Sequence, residues 1–295
     1  MKVNMSQSPS TPTSPISPDA FPFLSLTTSA SPSTPTYATL SFHKSDTIRL
    51  LNFPATLTAA LEPILLASWP PGIQAQSQNT TEQSAEFKFR GKPFGNSNSQ
   101  EGVGGLRLMR NILSALHDSG WELVTSVMCS KRVTAKDTLI FRQRPGWGSA
   151  SHSGAPPLEW LILAPMARDK LRVVYDAEGI RPHGEIDEEQ SRDYLGVLVS
   201  GIKKVLNALG LFEKGNWSHD SFEMHLKGNP WRSRGEASVT VRILLIKLFE
   251  LVEGHGWRTY MTLVQRTGDD EERMPDTWYF VRERKNTGST RPTTG

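Results

Sequence analysis

One cysteine, Cys129, stands in 295 residues. No intramolecular disulfide is available, which fits a reducing compartment and points to cytoplasm or nucleus. Long apolar runs are missing too. The longest candidate, Val239 to Val252, is interrupted by Arg242, Lys247 and Glu250, so no membrane-spanning helix and no membrane partner are expected. The N-terminus has no apolar core after a basic start and lacks the arginines of a transit peptide, so a targeting segment is not expected either. Net charge is only +3 despite a pI near 9.0. That bias is mild support for nucleic acid, and no RNP pair, zinc-finger spacing or Walker lysine is present. The seven histidines do not cluster, whereas a metal needs three or four converging ligands. Neither a metal nor a cofactor is expected. Ser218-His219-Asp220 is a contiguous triplet, and a catalytic triad converges from distant positions.

What is present falls into a tail and a repeat. Residues 1–36 are rich in Ser, Thr and Pro and bury too little apolar surface to offset ordering entropy, so a disordered tail is expected. Six Ser-Pro or Thr-Pro pairs begin at Ser8, Thr11, Ser14, Ser17, Ser31 and Thr34, each an acceptor for a proline-directed kinase. Phe21-Pro22-Phe23-Leu24 is the tail's one apolar island. Beyond it, Glu86-Phe87-Lys88-Phe89-Arg90-Gly91-Lys92-Pro93-Phe94 reads like Glu223-Met224-His225-Leu226-Lys227-Gly228-Asn229-Pro230-Trp231. Each stretch leads to a helical pattern and then to a Gly-Trp pair, Gly120-Trp121 and Gly256-Trp257. The spacing from Pro to Gly is 27 residues in one and 26 in the other. Asp137-Thr138 with Phe141 and Asp276-Thr277 with Phe280 follow in register, and upstream Asp46/Arg49 matches Asp169/Arg172. Rare residues recurring in order at near-constant spacing are the mark of an internal duplication.

The expected fold class is α+β: a duplicated β-β-α-β-α-β-β unit, its helices on one face of a small mixed sheet, with the two units paired about a pseudo-two-fold axis. The expected boundaries are 37–143 and 158–285, a linker at 144–157 and a disordered C-terminus at 286–295. Residues 74–85 and 179–189 read as polar loops. The helix near Leu106 to Leu116 sets Leu106, Met109, Ile112, Leu113 and Leu116 on one face, and Arg107, Arg110, Asn111, Ser114 and His117 on the other. Its counterpart from Ala237 to Glu253 is apolar nearly all round. Such a helix is covered on two sides, so it should meet either the other repeat or a second subunit.

Most recurring residues have structural explanations. Gly-x-Pro ends a strand, Gly-Trp stops a helix, and Asp-Thr hydrogen-bonds nearby backbone. Gly102-Val103-Gly104-Gly105 precedes a helix and is the nearest approach to an anion-binding loop. Cys129 reads as a buried, inert thiol. The duplicated Gly-x-Pro-aromatic, Gly-Trp and Asp-Thr-x-x-Phe pattern resembles a group of uncharacterised fungal proteins with no assigned activity. The resemblance covers most of residues 37–285 and implies the repeat alone; Phe94 departs from it where the second repeat has Trp231.

The expected function is a non-enzymatic intracellular binding module with a protein partner. Its groove between repeats would be lined by Phe94, Trp231, Arg107 and Arg232. One alternative is a small-molecule enzyme with its site between the repeats, His225 and Asp220 carrying acid-base work. Another is RNA or single-stranded DNA binding through Arg107 and Arg110.

Overall fold

The computed structural model describes residues 35–95, 100–130, 135–145, 156–176, 188–219, 221–266 and 275–283. The expectations for the tail before 35, for the C-terminus after 283 and for the segments at 146–155 and 177–187 lie outside the described residues. The first repeat runs β1 (Tyr37–His43), β2 (Thr47–Leu51), α1 (Ala55–Ser68), β3 (Ile73–Asn79), β4 (Ser84–Phe89), α2 (Gln100–Asp118), β5 (Trp121–Val127) and β6 (Thr138–Gln143). The second runs β7 (Leu158–Met166), β8 (Lys170–Asp176), α3 (Glu188–Ala208), β9 (Phe212–Ser218), β10 (Ser221–Leu226), α4 (Ala237–Gly254), β11 (Arg258–Leu263) and β12 (Thr277–Glu283). The first sheet has the order β3-β4-β2-β1-β6-β5, and the second, read from β9, has β9-β10-β8-β7-β12-β11. The orders are identical element for element, so the duplication is structural as well as sequential.

The α+β class and the duplicated unit hold, with two corrections of detail. Every paired strand is antiparallel rather than part of a mixed sheet. Each unit also carries one more strand than expected, giving β-β-α-β-β-α-β-β. In the first repeat the extra strand, β3, occupies the first half of the expected loop at 74–85. Its sequence Ile-Gln-Ala-Gln-Ser-Gln-Asn lies at a sheet edge and is exposed on both faces, so the apolar alternation that announces a half-buried strand is missing.

Recurring residues do recurring work. Gly120 and Gly256 both have φ +81°, the left-handed conformation that ends a helix and that a side chain resists. The tryptophans after them, Trp121 and Trp257, are buried. The amide of Phe94 donates to Ser45 O, and the amide of Trp231 donates to the matching Arg168 O.

The repeats meet head to tail, not about the expected pseudo-two-fold. The central strands β7 and β12 of the second sheet are buried on both faces. Leu161, Leu163 and Phe280 point into the core with α3 and α4, while Trp160, Ile162, Met166 and Tyr279 join the core that contains α2. Thus α2 lies between its own sheet and the next. A two-fold would place α4 against the first sheet in the same way. That sheet instead presents Thr39, Ser41 and His43 where the second presents Ile162, Ala164 and Met166. An apolar outer face exists only once, so only one helix layer is covered.

Candidate functional site

The junction of the repeats is a filled interface. Along α2, Val103, Arg107, Arg110, Ser114 and His117 recur at helical spacing on the face turned toward β7. All are buried except half-buried Arg107. The polar face opposite the apolar stripe is therefore covered as well. Asp137 ties the repeats directly: its amide donates to Val264 O at 3.2 Å, and its Oδ2 accepts from the Val264 amide at 2.9 Å. Ser126 Oγ donates to Thr262 O at 3.3 Å. Nearby, the Arg266 guanidinium is wholly buried and donates to Pro165 O at 2.6 Å, and Tyr279 donates its hydroxyl proton to Gln265 Oε1 at 2.6 Å.

His117 closes the end of this face. Burial holds its imidazole below the ordinary 6.5, with Arg144 and Arg258 adding to the depression; a bond to the Pro156 backbone and the charge of Glu122 oppose it. The folded state thus prefers the neutral ring while the unfolded chain takes up a proton near 6.5. Stability is complete above that pH and declines as pH falls below it. His43, also depressed by burial and by Arg49, acts in the same direction. His117→Asn is expected to flatten this acid-side decline without abolishing it, as measured by denaturant midpoints across a pH series.

The recurring Asp-x-apolar-Arg motif resolves into a cross-strand pair. Arg49 lies opposite Glu86, and Arg172 opposite Glu223. The first pair is solvated, with side chains 47% and 35% exposed; the second is sealed, at 1% and 7%. Glu223 also accepts from Lys170 at 2.9 Å and lies 3.1 Å from His225 Nε2. It is a carboxylate shared by two cations, Lys170 and Arg172.

The four residues expected to line a groove are not brought together. Phe94 is completely buried among Phe42 and Phe89 in the first repeat's core. Trp231 packs edge-on to Trp278 in the second repeat's core, its indole nitrogen donating to Lys170 O at 2.7 Å. Arg107 sits half-buried on α2, and Arg232 lies exposed in a 3-10 turn at Pro230–Arg232. The aromatics matched in sequence because they fill equivalent places in two separate cores. The glycines at 102–105 lie inside α2 rather than before it, and Gly104 and Gly105 face Trp69 and Pro93. They permit close packing and form no anion loop. Cys129 is exposed beyond β5, not buried. Asp220 lies outside the described residues. Among the described residues no group of His, Cys, Asp and Glu could hold a metal, and no helix is long and apolar enough to cross a membrane.

The opposite end of the stack is different in kind. Counted back from the Gly-Trp corners, Val239, Ile243 and Ile246 hold in α4 the positions of Val103, Arg107 and Arg110 in α2. They are 55%, 41% and 56% exposed. Val197 adds an exposed apolar side chain on α3. The expected second cover for α4 is not found in the first repeat: its inner residues Leu244, Leu248 and Val252 are buried, but among the described residues no part of the first repeat covers its outer stripe.

Against known proteins, a model of one domain family, defined without an assigned activity, matches the chain twice, over residues 36–142 and 159–281. No curated protein and no solved structure matches it.

Proposed function

We propose that this chain, which belongs to that domain family and carries two of its domains in series, is a non-enzymatic interaction module that takes a protein partner on the outer face of α3 and α4. The observation that carries the reading is the exposed stripe Val239, Ile243 and Ile246. It stands at helix positions that in the first repeat form an interface. Clustered apolar side chains left in water mark docking surfaces. The space between the repeats favours this reading over an enzyme, because the junction is occupied by Trp160, Ile162, Met166 and Tyr279. Nucleic acid is less favoured. On the first sheet's outer face Arg49 is paired with Glu86 and Arg142 with Glu122, so two of its cations are already matched by carboxylates.

The test is site-specific photo-crosslinking from position 239 in the full chain. A discrete adduct with a protein is expected, and it should vanish in Ile246→Asp. Adducts that form from position 51 on the first sheet, with none from 239, would move the docking surface to the other end and defeat the proposal.

A further inference from the structure

Resting on that reading, we infer that the occupant is a second chain of the same sequence, α4 packing antiparallel on α4 across a two-fold axis. A helix as apolar as α4 needs cover on a second side, and the head-to-tail stacking removes the first repeat as the source. A further head-to-tail step, α4 onto another chain's first sheet, fails on chemistry. That sheet offers Thr39, Ser41, His43 and Arg49 at the positions where the second offers Ile162, Ala164, Met166 and Arg172. It would also leave both ends open for unlimited growth.

Isologous pairing does better. The stripe runs Val239, Ile243, Ile246 at spacings of four and three, a single helix face. It is bordered by Arg242 and Lys247 and continues into Glu250, which is itself 2.7 Å from Lys247. An antiparallel pair centred on Ile246 sets Ile246 against its symmetry mate. Arg242 of each chain then lies opposite Glu250 of the other, so one two-fold axis generates two ion pairs flanking an apolar centre. A parallel arrangement would oppose like charges. Ile243 of each chain lies within one turn of the other's Ile246, and Val239 lies toward Glu253 at the rim, so the face is complementary to itself in charge about an apolar centre.

The experiment is sedimentation of the purified full chain over a concentration series. A reversible dimer is expected. Ile243→Asp and Ile246→Asp should each weaken it on the order of a hundredfold, because every substitution enters the symmetric contact twice. Arg242→Glu and Glu250→Arg should each weaken it about tenfold, and the double variant should regain most of that loss. These side chains are exposed, and unchanged circular dichroism would verify that folding is retained. A wild-type chain that stays monomeric, or a dimer indifferent to Ile246→Asp, overturns the second-chain inference. In the monomeric case crosslinking from position 239 separates the two claims. An adduct with a different protein leaves the interaction reading standing. An adduct within the chain to residues 21–24 gives the face to the tail and defeats both.

Discussion

Gly105→Ala is expected to destabilise the chain by at least about 3 kcal/mol, although alanine would stabilise an unconstrained helix by about 1 kcal/mol. The opposite sign is the point of the test. A Cβ at Gly105 would lie 1.9 Å from the Pro93 carbonyl oxygen and 2.9 Å from its carbon. Both are backbone atoms, so no rotamer change relieves the clash. The turn cannot retreat easily either: the next residue, Phe94, is sealed between Phe42 and Phe89, and its amide is bonded to Ser45 O. Either α2 lifts from the turn and uncovers Leu108, Ile112 and Leu116, or the turn distorts the end of β4. Denaturant unfolding measures the loss. The second repeat supplies the control, because Val241 holds the equivalent helix position. There Val241→Ala should change stability only modestly. A Gly105→Ala chain as stable as the parent would mean that α2 does not approach Pro93 this closely.

The difference between Gly105 and Val241 bears on what could be read from the sequence. Equivalence of the repeats was legible because the Gly-Trp corners and Gly-x-Pro turns impose backbone conformations that few residues tolerate. How the repeats stack was not legible from those residues, since they serve each unit separately. The signal for stacking lay elsewhere. In β7 the run Leu158-Glu159-Trp160-Leu161-Ile162-Leu163-Ala164 barely alternates, the pattern of a strand buried on both faces. β1 reads Tyr37-Ala38-Thr39-Leu40-Ser41-Phe42, the alternation of a strand with one wet face. Comparing the two strands identifies the second sheet as the covered one. The cover over the polar face of α2 was not legible, because Arg107, Arg110 and His117 have the composition of a solvated surface. Their burial comes from tertiary contact, which helical periodicity does not encode. The groove residues failed for a related reason: Phe94 and Trp231 match as core aromatics, and correspondence within repeats says nothing of proximity between them.

The same asymmetry predicts that one motif will have two energies. Glu223→Ala should cost about 3–5 kcal/mol, because it removes the carboxylate shared by Arg172 and Lys170 from a site where water cannot replace it. Glu86→Ala removes the matching partner of Arg49 in the first repeat and should cost no more than about 1 kcal/mol, because both side chains are well solvated. Burial by itself would raise the Glu223 pKa above 4.5, but hydrogen bonds and charge from Lys170 and Arg172 outweigh it and hold the group below that value. Its folded form therefore favours the carboxylate. The associated stability is present above 4.5 and is lost as pH falls through the depressed value. In Glu223→Gln that acid-side loss should shrink. Paired replacement, Arg172→Met with Glu223→Leu, should recover most of what Glu223→Ala forfeits, since apolar side chains of similar volume suit a site this buried. Equal costs for Glu223→Ala and Glu86→Ala would place both pairs in water and contradict the burial of Arg172 and Glu223.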